Sequence, residues 1–162
     1  MSLKERIHAE ISAAMRSGDA LRRDVLRMAQ NAIDVAEKRD RRAYADDEVV
    51  AILVRETKTR RESIEAFRKG GREDLAEKEA AEIAILAEFL PAALTPDEVA
   101  VLVAQAVAET GAASPRDMGK VMGWLTPRTR GRVDGRELSG RVAAALAAAN
   151  LADHDRGAPQ GG

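Results

Sequence analysis

The sequence predicts an all-helical protein, on three observations. Aromatic residues are only 2% of the 162 residues. β-Branched residues rarely alternate with polar ones, so the period of two that marks a strand is nearly absent. Apolar residues instead recur three and four apart, the spacing that lines one face of a helix. Leu3, Ile7, Ile11, Ala14 and Met15 form the first such stripe, and Gly18 after Ser17 stops it. From Asp19 a second stripe passes through Leu21, Val25, Met28, Ala32 and Val35, then fades into the charged run Lys38 to Arg42. Asp46 and Asp47 are cap candidates for a third helix that carries Val49, Leu53, Thr57, Ile64 and Phe67 and ends at Gly70-Gly71. A fourth begins near Arg72, carries Leu75, Ile83, Leu86 and Leu90, and is closed by Pro91, because a residue before proline is pushed out of the α region.

The second half restarts at once. Thr95-Pro96-Asp97-Glu98 is a capping box with proline at the first helical position, and Gly111 ends the helix it opens. Ser114-Pro115-Arg116-Asp117 repeats the pattern before Met118, Val121, Met122 and Leu125, a short helix that Thr126-Pro127 is expected to interrupt. Asp134 with Glu137 offers a further box before the stripe Leu138, Val142, Ala145, Leu146 and Ala149. The tail from Asp153 has little to bury and is expected to be disordered. The expected organisation is an N-terminal helical domain over 1–91 with about four helices, a small C-terminal domain over 95–149 with about three, and a tail over 153–162.

Composition excludes several chemistries. The chain has no cysteine, hence no disulfide, thiolate metal site, iron–sulfur cluster or cysteine nucleophile. His8 borders the first stripe and His154 lies in the tail, so neither sits beside a nucleophile, and no zinc-protease, Walker or serine-hydrolase motif occurs. No catalytic residue, metal or cofactor is expected. The opening MSLKERIHAEISAAM puts charges where a signal peptide needs apolar residues, and Glu82 and Glu88 break the most apolar segment. A soluble cytoplasmic protein without a membrane segment is the expectation.

The formal net charge is -1, so any attraction to a polyanion must be local. Between Arg116 and Arg141 seven basic residues face three acidic ones, a local excess of four positive charges. Arg128, Arg130 and Arg132 surround Gly131 in a stretch bounded by Pro127 and Gly135, and guanidinium groups on a short loop can grip phosphates bidentately. Backbone N–H groups opening the next helix could add to such a site. Gly119 and Gly123, four apart, share a face where another backbone can approach closely. Trp124 could stack on a base, although a tryptophan on a short apolar helix reads first as core.

The run RRESIEAFRKGGREDLAEKEAAEIAILAEFLP, Arg60 to Pro91, followed by MGKVMGWLTPRTRGRVDG, Met118 to Gly135, resembles the YqeY family, whose proteins carry the GatB/YqeY domain. The resemblance covers about residues 1–149. It implies an N-terminal helical domain joined to a smaller one similar to the C-terminal tail of the B subunit of the tRNA-dependent amidotransferase. That tail helps to hold tRNA while other domains and a separate amidase subunit transfer the amide, so the resemblance brings a binding part. Gly119, Lys120, Gly123, Gly131, Asp134 and Gly135 match the family pattern; Arg130 and Arg132 stand where it often has Lys, and Trp124 and Leu125 are individual to this chain. The resemblance thus implies a tRNA-binding or tRNA-associated accessory protein, non-catalytic by itself, and the local charge cluster places the expected phosphate contacts at Lys120, Arg128, Arg130, Arg132 and Arg136. Two alternatives stay open: a carbon–nitrogen ligase with glutamine as amido-N-donor, or a helical protein–protein adaptor.

Overall fold

The computed structural model describes residues 1–157, which contain helices and no strand. In chain order they are α1 (Leu3–Ser17), α2 (Ala20–Asp40), α3 (Asp46–Lys69), α4 (Glu73–Ala87), α5 (Pro96–Thr110), a single 3₁₀ turn (Pro115–Asp117), α6 (Met118–Thr129) and α7 (Gly135–Gly157). Contacts divide the chain into two compact units, one Met1–Pro91 and the other from Ala92 onward.

In the first unit α1 pairs with α2 and α3 with α4. The α1–α2 corner is made by Gly18 at φ 75°, where its N–H returns to the Ala14 carbonyl. Left-handed backbone of this kind suits glycine because no Cβ clashes with the carbonyl. Gly71, at φ 72°, does the same between α3 and α4, with Arg72 N–H reaching the Phe67 carbonyl at 2.8 Å. Ile7, Leu26, Ile33, Val49, Leu53 and Leu86 are fully buried between the helices. One cap differs from expectation: Ala45 occupies the N-cap position of α3, and Glu48 reaches back to its N–H at 3.0 Å. Asp46 instead accepts the Leu3 N–H of α1 at 2.9 Å, so a carboxylate read as a local cap ties two distant helix starts together.

α4 ends at Ala87, short of Leu90, and the chain tightens into three-residue turns that set Phe89 into the core. Arg6 lies over the Phe89 ring at 4.7 Å and donates to the Glu88 carbonyl at 2.8 Å, while Arg22 at 5.9 Å pairs with Glu10 and Glu88. A third arginine, unlike these two, is buried. Arg60 is only 4% exposed, with Nε 3.0 Å from Glu82 Oε2 and Nη1 3.0 Å from Glu56 Oε2.

In the second unit Val99, Val103, Val121, Leu125, Leu138, Val142 and Leu146 form the core. Half of the Thr95 box forms: Thr95 Oγ1 accepts the Glu98 N–H at 3.2 Å with Pro96 opening α5, while the Glu98 carboxylate makes no return bond to the Thr95 N–H. The expected interruption at Thr126-Pro127 does not occur, and α6 runs through Pro127 to Thr129. A proline removes one donor to the preceding turn. Here side chains bind neighbouring carbonyls of that turn: Thr126 Oγ1 bonds Met122 O (2.7 Å), Arg128 bonds Trp124 O (2.6 Å) and Thr129 Oγ1 bonds Leu125 O (2.9 Å). α7 continues through Asp153 to Gly157, past the expected start of the tail, because the alanine-rich run before it favours propagation of the helix. The remainder of that expected tail, 158–162, lies outside the described residues.

Pro91, Ala92 and Ala93 are exposed and outside any helix. Elastase is therefore expected to cut first after Ala92 or Ala93 and to leave two resistant fragments, read by mass spectrometry. Resistance until global unfolding, with a fragment from Thr95 unfolded in isolation, would mean that the units do not fold independently.

Candidate nucleic-acid interface

Arg128, Arg130, Arg132 and Arg136 gather around the end of α6, the turn after it and the start of α7, while Lys120 stands apart in the first turn of α6, and the α6–α7 turn is held by backbone chemistry. Gly131 adopts φ 76°, a conformation open to glycine, and the Arg132 N–H closes onto the Thr129 carbonyl at 2.9 Å. Arg132 is pinned at both ends: its carbonyl accepts the Leu94 N–H at 2.8 Å and its Nε donates to the Ala92 carbonyl at 3.0 Å. It is half-buried and fastens the turn to the segment that leads into α5, so its charge is only partly available to a ligand.

Asp134 Oδ1 then accepts the N–H groups of Arg136 (2.7 Å) and Glu137 (3.3 Å), capping α7. This corrects the expectation that these helix-opening amides are open to an anion, since two of them are already bound by the carboxylate. Lys120, Arg128, Arg130 and Arg136 are exposed. Lys120 makes one long ion pair, 3.8 Å to Asp117. The Asp117 carboxylate is committed to the Ala113 and Ser114 N–H groups, which hold it below its ordinary pKa range. It stays anionic at neutral pH.

Arg128 is ordered differently. Its guanidinium carbon lies 3.9 Å from the centre of the Trp124 ring, a cation–π stack, and the indole N–H donates to Glu109 Oε2 at 3.0 Å. Gln105 Nε2 in turn donates to Glu109 Oε1 at 3.3 Å. Trp124 is half-buried against the core of this unit, so the ring is a wall of the core on one side and a platform on the other.

Gly119 and Gly123 lie on the exposed edge of α6, opposite Val121 and Leu125. A Cβ built at either would meet nothing within 4 Å, so the close packing expected of them does not occur among the described residues. The reason is register: α6 turns positions 121, 125 and 129 inward, which leaves 119 and 123 facing solvent. Gly119→Ala and Gly123→Ala are each expected to raise stability by about 0.5–1 kcal/mol, because alanine loses less backbone entropy in a helix. The urea midpoint reads this. A fall in midpoint would mean that the bare edge serves the fold after all.

Sequence reasoning missed Arg60, Glu56 and Glu82. The available signal was a stripe running Leu53, Thr57, Ile64 with Arg60 at the intervening inward position, and an acid inside the apolar helix α4. Elsewhere, His8 Nδ1 lies 3.4 Å from Gln30 Nε2 on an exposed face. No group of three or more acidic or histidine side chains arranged to hold a metal is found among the described residues. No described helix is long and apolar enough to cross a membrane.

A family model described as Yqey-like protein matches residues 4–146 of the chain. An uncharacterized protein of Schizosaccharomyces pombe is 33% identical over 90 residues, which cover 56% of this chain and 73% of that protein. A protein of Pyrenophora tritici-repentis named Altered inheritance of mitochondria protein 41, mitochondrial, is 31% identical over 140 residues, covering 85% of this chain and 77% of that one.

Proposed function

The chain belongs to the Yqey-like family, and from that premise we propose that it is a tRNA-binding or tRNA-associated accessory protein that carries no amide-transfer chemistry of its own. The observation that carries this reading is the exposed edge of α6 together with the turn that follows it. Arg130 and Lys120 are exposed beside a helix edge bare of side chains, in a chain whose net charge is -1. A generally basic protein would collect any polyanion; a localised cluster on a neutral body selects a ligand that fits its geometry.

Within the site the roles divide. Arg130 and Lys120 meet phosphates, and Arg136 extends the row along the first turn of α7. Arg132 sets the turn and adds charge, while Arg128 is held flat on Trp124. Gly119 and Gly123 let a sugar-phosphate backbone approach α6 without a Cβ in the way. A cytoplasmic location is part of the proposal, and the mitochondrial name of one relative makes that organelle the alternative outcome of a fractionation.

Titration of tRNA against the chain at several salt concentrations tests the binding. Affinity should fall linearly on logarithmic axes, by about 0.7–0.9 per phosphate contact. Absence of binding even at low salt would overturn the reading and favour the adaptor.

A further inference from the structure

Four exposed cations would suffice to hold a sugar-phosphate backbone, yet one of them is built differently. Arg128 does not project as a mobile charge. Its guanidinium lies on the Trp124 indole at 3.9 Å, and its Nη1 is bonded to the Trp124 carbonyl at 2.6 Å. The indole is itself fixed by Glu109, and Glu109 by Gln105. The chain Gln105–Glu109–Trp124–Arg128 therefore fixes a plane, at some expense in side-chain freedom, at a place where phosphate attraction alone needs none. A guanidinium with one face covered by an aromatic ring has one face left, and Arg128 is exposed. A second planar group can lie on that face. Guanidinium planes stack on nucleobases as they do on aromatic rings, and such stacking accepts any base because each has a π-face.

Resting on the RNA-binding reading above, the geometry points to an unpaired nucleobase, stacked on the outer face of Arg128 with its phosphate toward Arg130, as the group that this site takes. A continuous duplex keeps its bases stacked on each other and offers only backbone to the turn; an unpaired segment offers both base and phosphate. The site therefore prefers single-stranded or looped RNA to a blunt duplex of equal charge.

Anisotropy titrations of the full chain against a short uridine-rich strand and a blunt RNA duplex, at the same salt, test this with Arg128→Lys, which keeps the charge and loses the plane. The single strand should weaken by about tenfold and the duplex by less than about twofold. Trp124 is the sole tryptophan, so an unchanged emission maximum in the unliganded Arg128→Lys chain verifies that the platform is still in place. Trp124→Phe, which keeps a ring and loses the bond to Glu109, should give an intermediate loss on the single strand alone. Equal binding of both RNAs, with Arg128→Lys indistinguishable from the parent chain on each, overturns the stacked base and leaves phosphate binding standing. Failure of the parent chain to bind either RNA overturns the RNA reading itself.

Discussion

Arg60→Ala is expected to lower the stability of the first unit by about 3–5 kcal/mol, the range for removing one partner from a buried ion pair. The guanidinium is 4% exposed and joins two helices: its Nη1 meets Glu56 of α3 at both the carboxylate (3.0 Å) and the carbonyl (3.1 Å), and its Nε meets Glu82 of α4 at 3.0 Å. Met28 of α2 closes the remaining side, with Sδ 3.9 Å from Nη2. Alanine would leave the Glu82 carboxylate, itself 12% exposed, without its cation. Glu79 nearby would suffer too: desolvation and then Glu82 already push its carboxyl upward, and Arg60 counteracts that. Small domains are stable by about 5–15 kcal/mol, so a loss of this size exposes the unit to partial unfolding at ordinary temperature. Arg60→Met with Glu82→Leu should recover most of the loss, because apolar replacement of both partners removes the buried charges together. Urea denaturation of the three chains decides it. A shift for Arg60→Ala of less than about 0.5 kcal/mol, the scale of a surface substitution, would show that the network adds nothing to the fold.

What was legible in the sequence was local. Thr95 caps α5 ahead of Pro96 because a cap needs only residues within one turn, and Gly18 and Gly71 turn the chain because the φ they require is their own. What was hidden depends on partners far along the chain. Asp46 reads as a cap for the helix that it opens, yet it serves Leu3, a choice fixed by how α1 lies against α3. Arg60 holds an inward position in the stripe, but its charge has no visible partner in sequence until the Gly70-Gly71 corner brings Glu82 opposite it. Pro127 reads as a break because proline costs a helix one bond, and the side chains that bind the neighbouring carbonyls, Thr126, Arg128 and Thr129, carry no individual signal in sequence. In the candidate site the charge cluster was readable, but the division of labour was not. Arg130 and Arg132 are two residues apart and chemically identical, and only the fold turns one outward and fastens the other to Ala92.

That division selects the variant with the largest expected effect on binding. Lys120→Glu with Arg130→Glu should weaken tRNA binding by about a hundredfold at physiological salt, because it removes two phosphate contacts and puts repulsion in their place. It also cancels the local excess of four positive charges between Arg116 and Arg141. Arg132 is left intact deliberately, since replacing it would loosen the turn and confuse lost contact with lost structure. The fold should tolerate the pair: both side chains are exposed, and exposed ion pairs such as Lys120 with Asp117 contribute about 0–1 kcal/mol. The control is the same change of charge elsewhere. Arg55 and Lys58 are exposed on α3, so Arg55→Glu with Lys58→Glu alters net charge equally while leaving the turn untouched. If binding is a contact along the edge of α6 and the turn after it, the first pair collapses affinity and flattens the slope against salt by about two, and the second changes affinity by only a few-fold. If the two pairs weaken binding equally, the attraction is diffuse. If neither weakens it, the arginines form a solvated turn and the helical surfaces of an adaptor become the place to look for function.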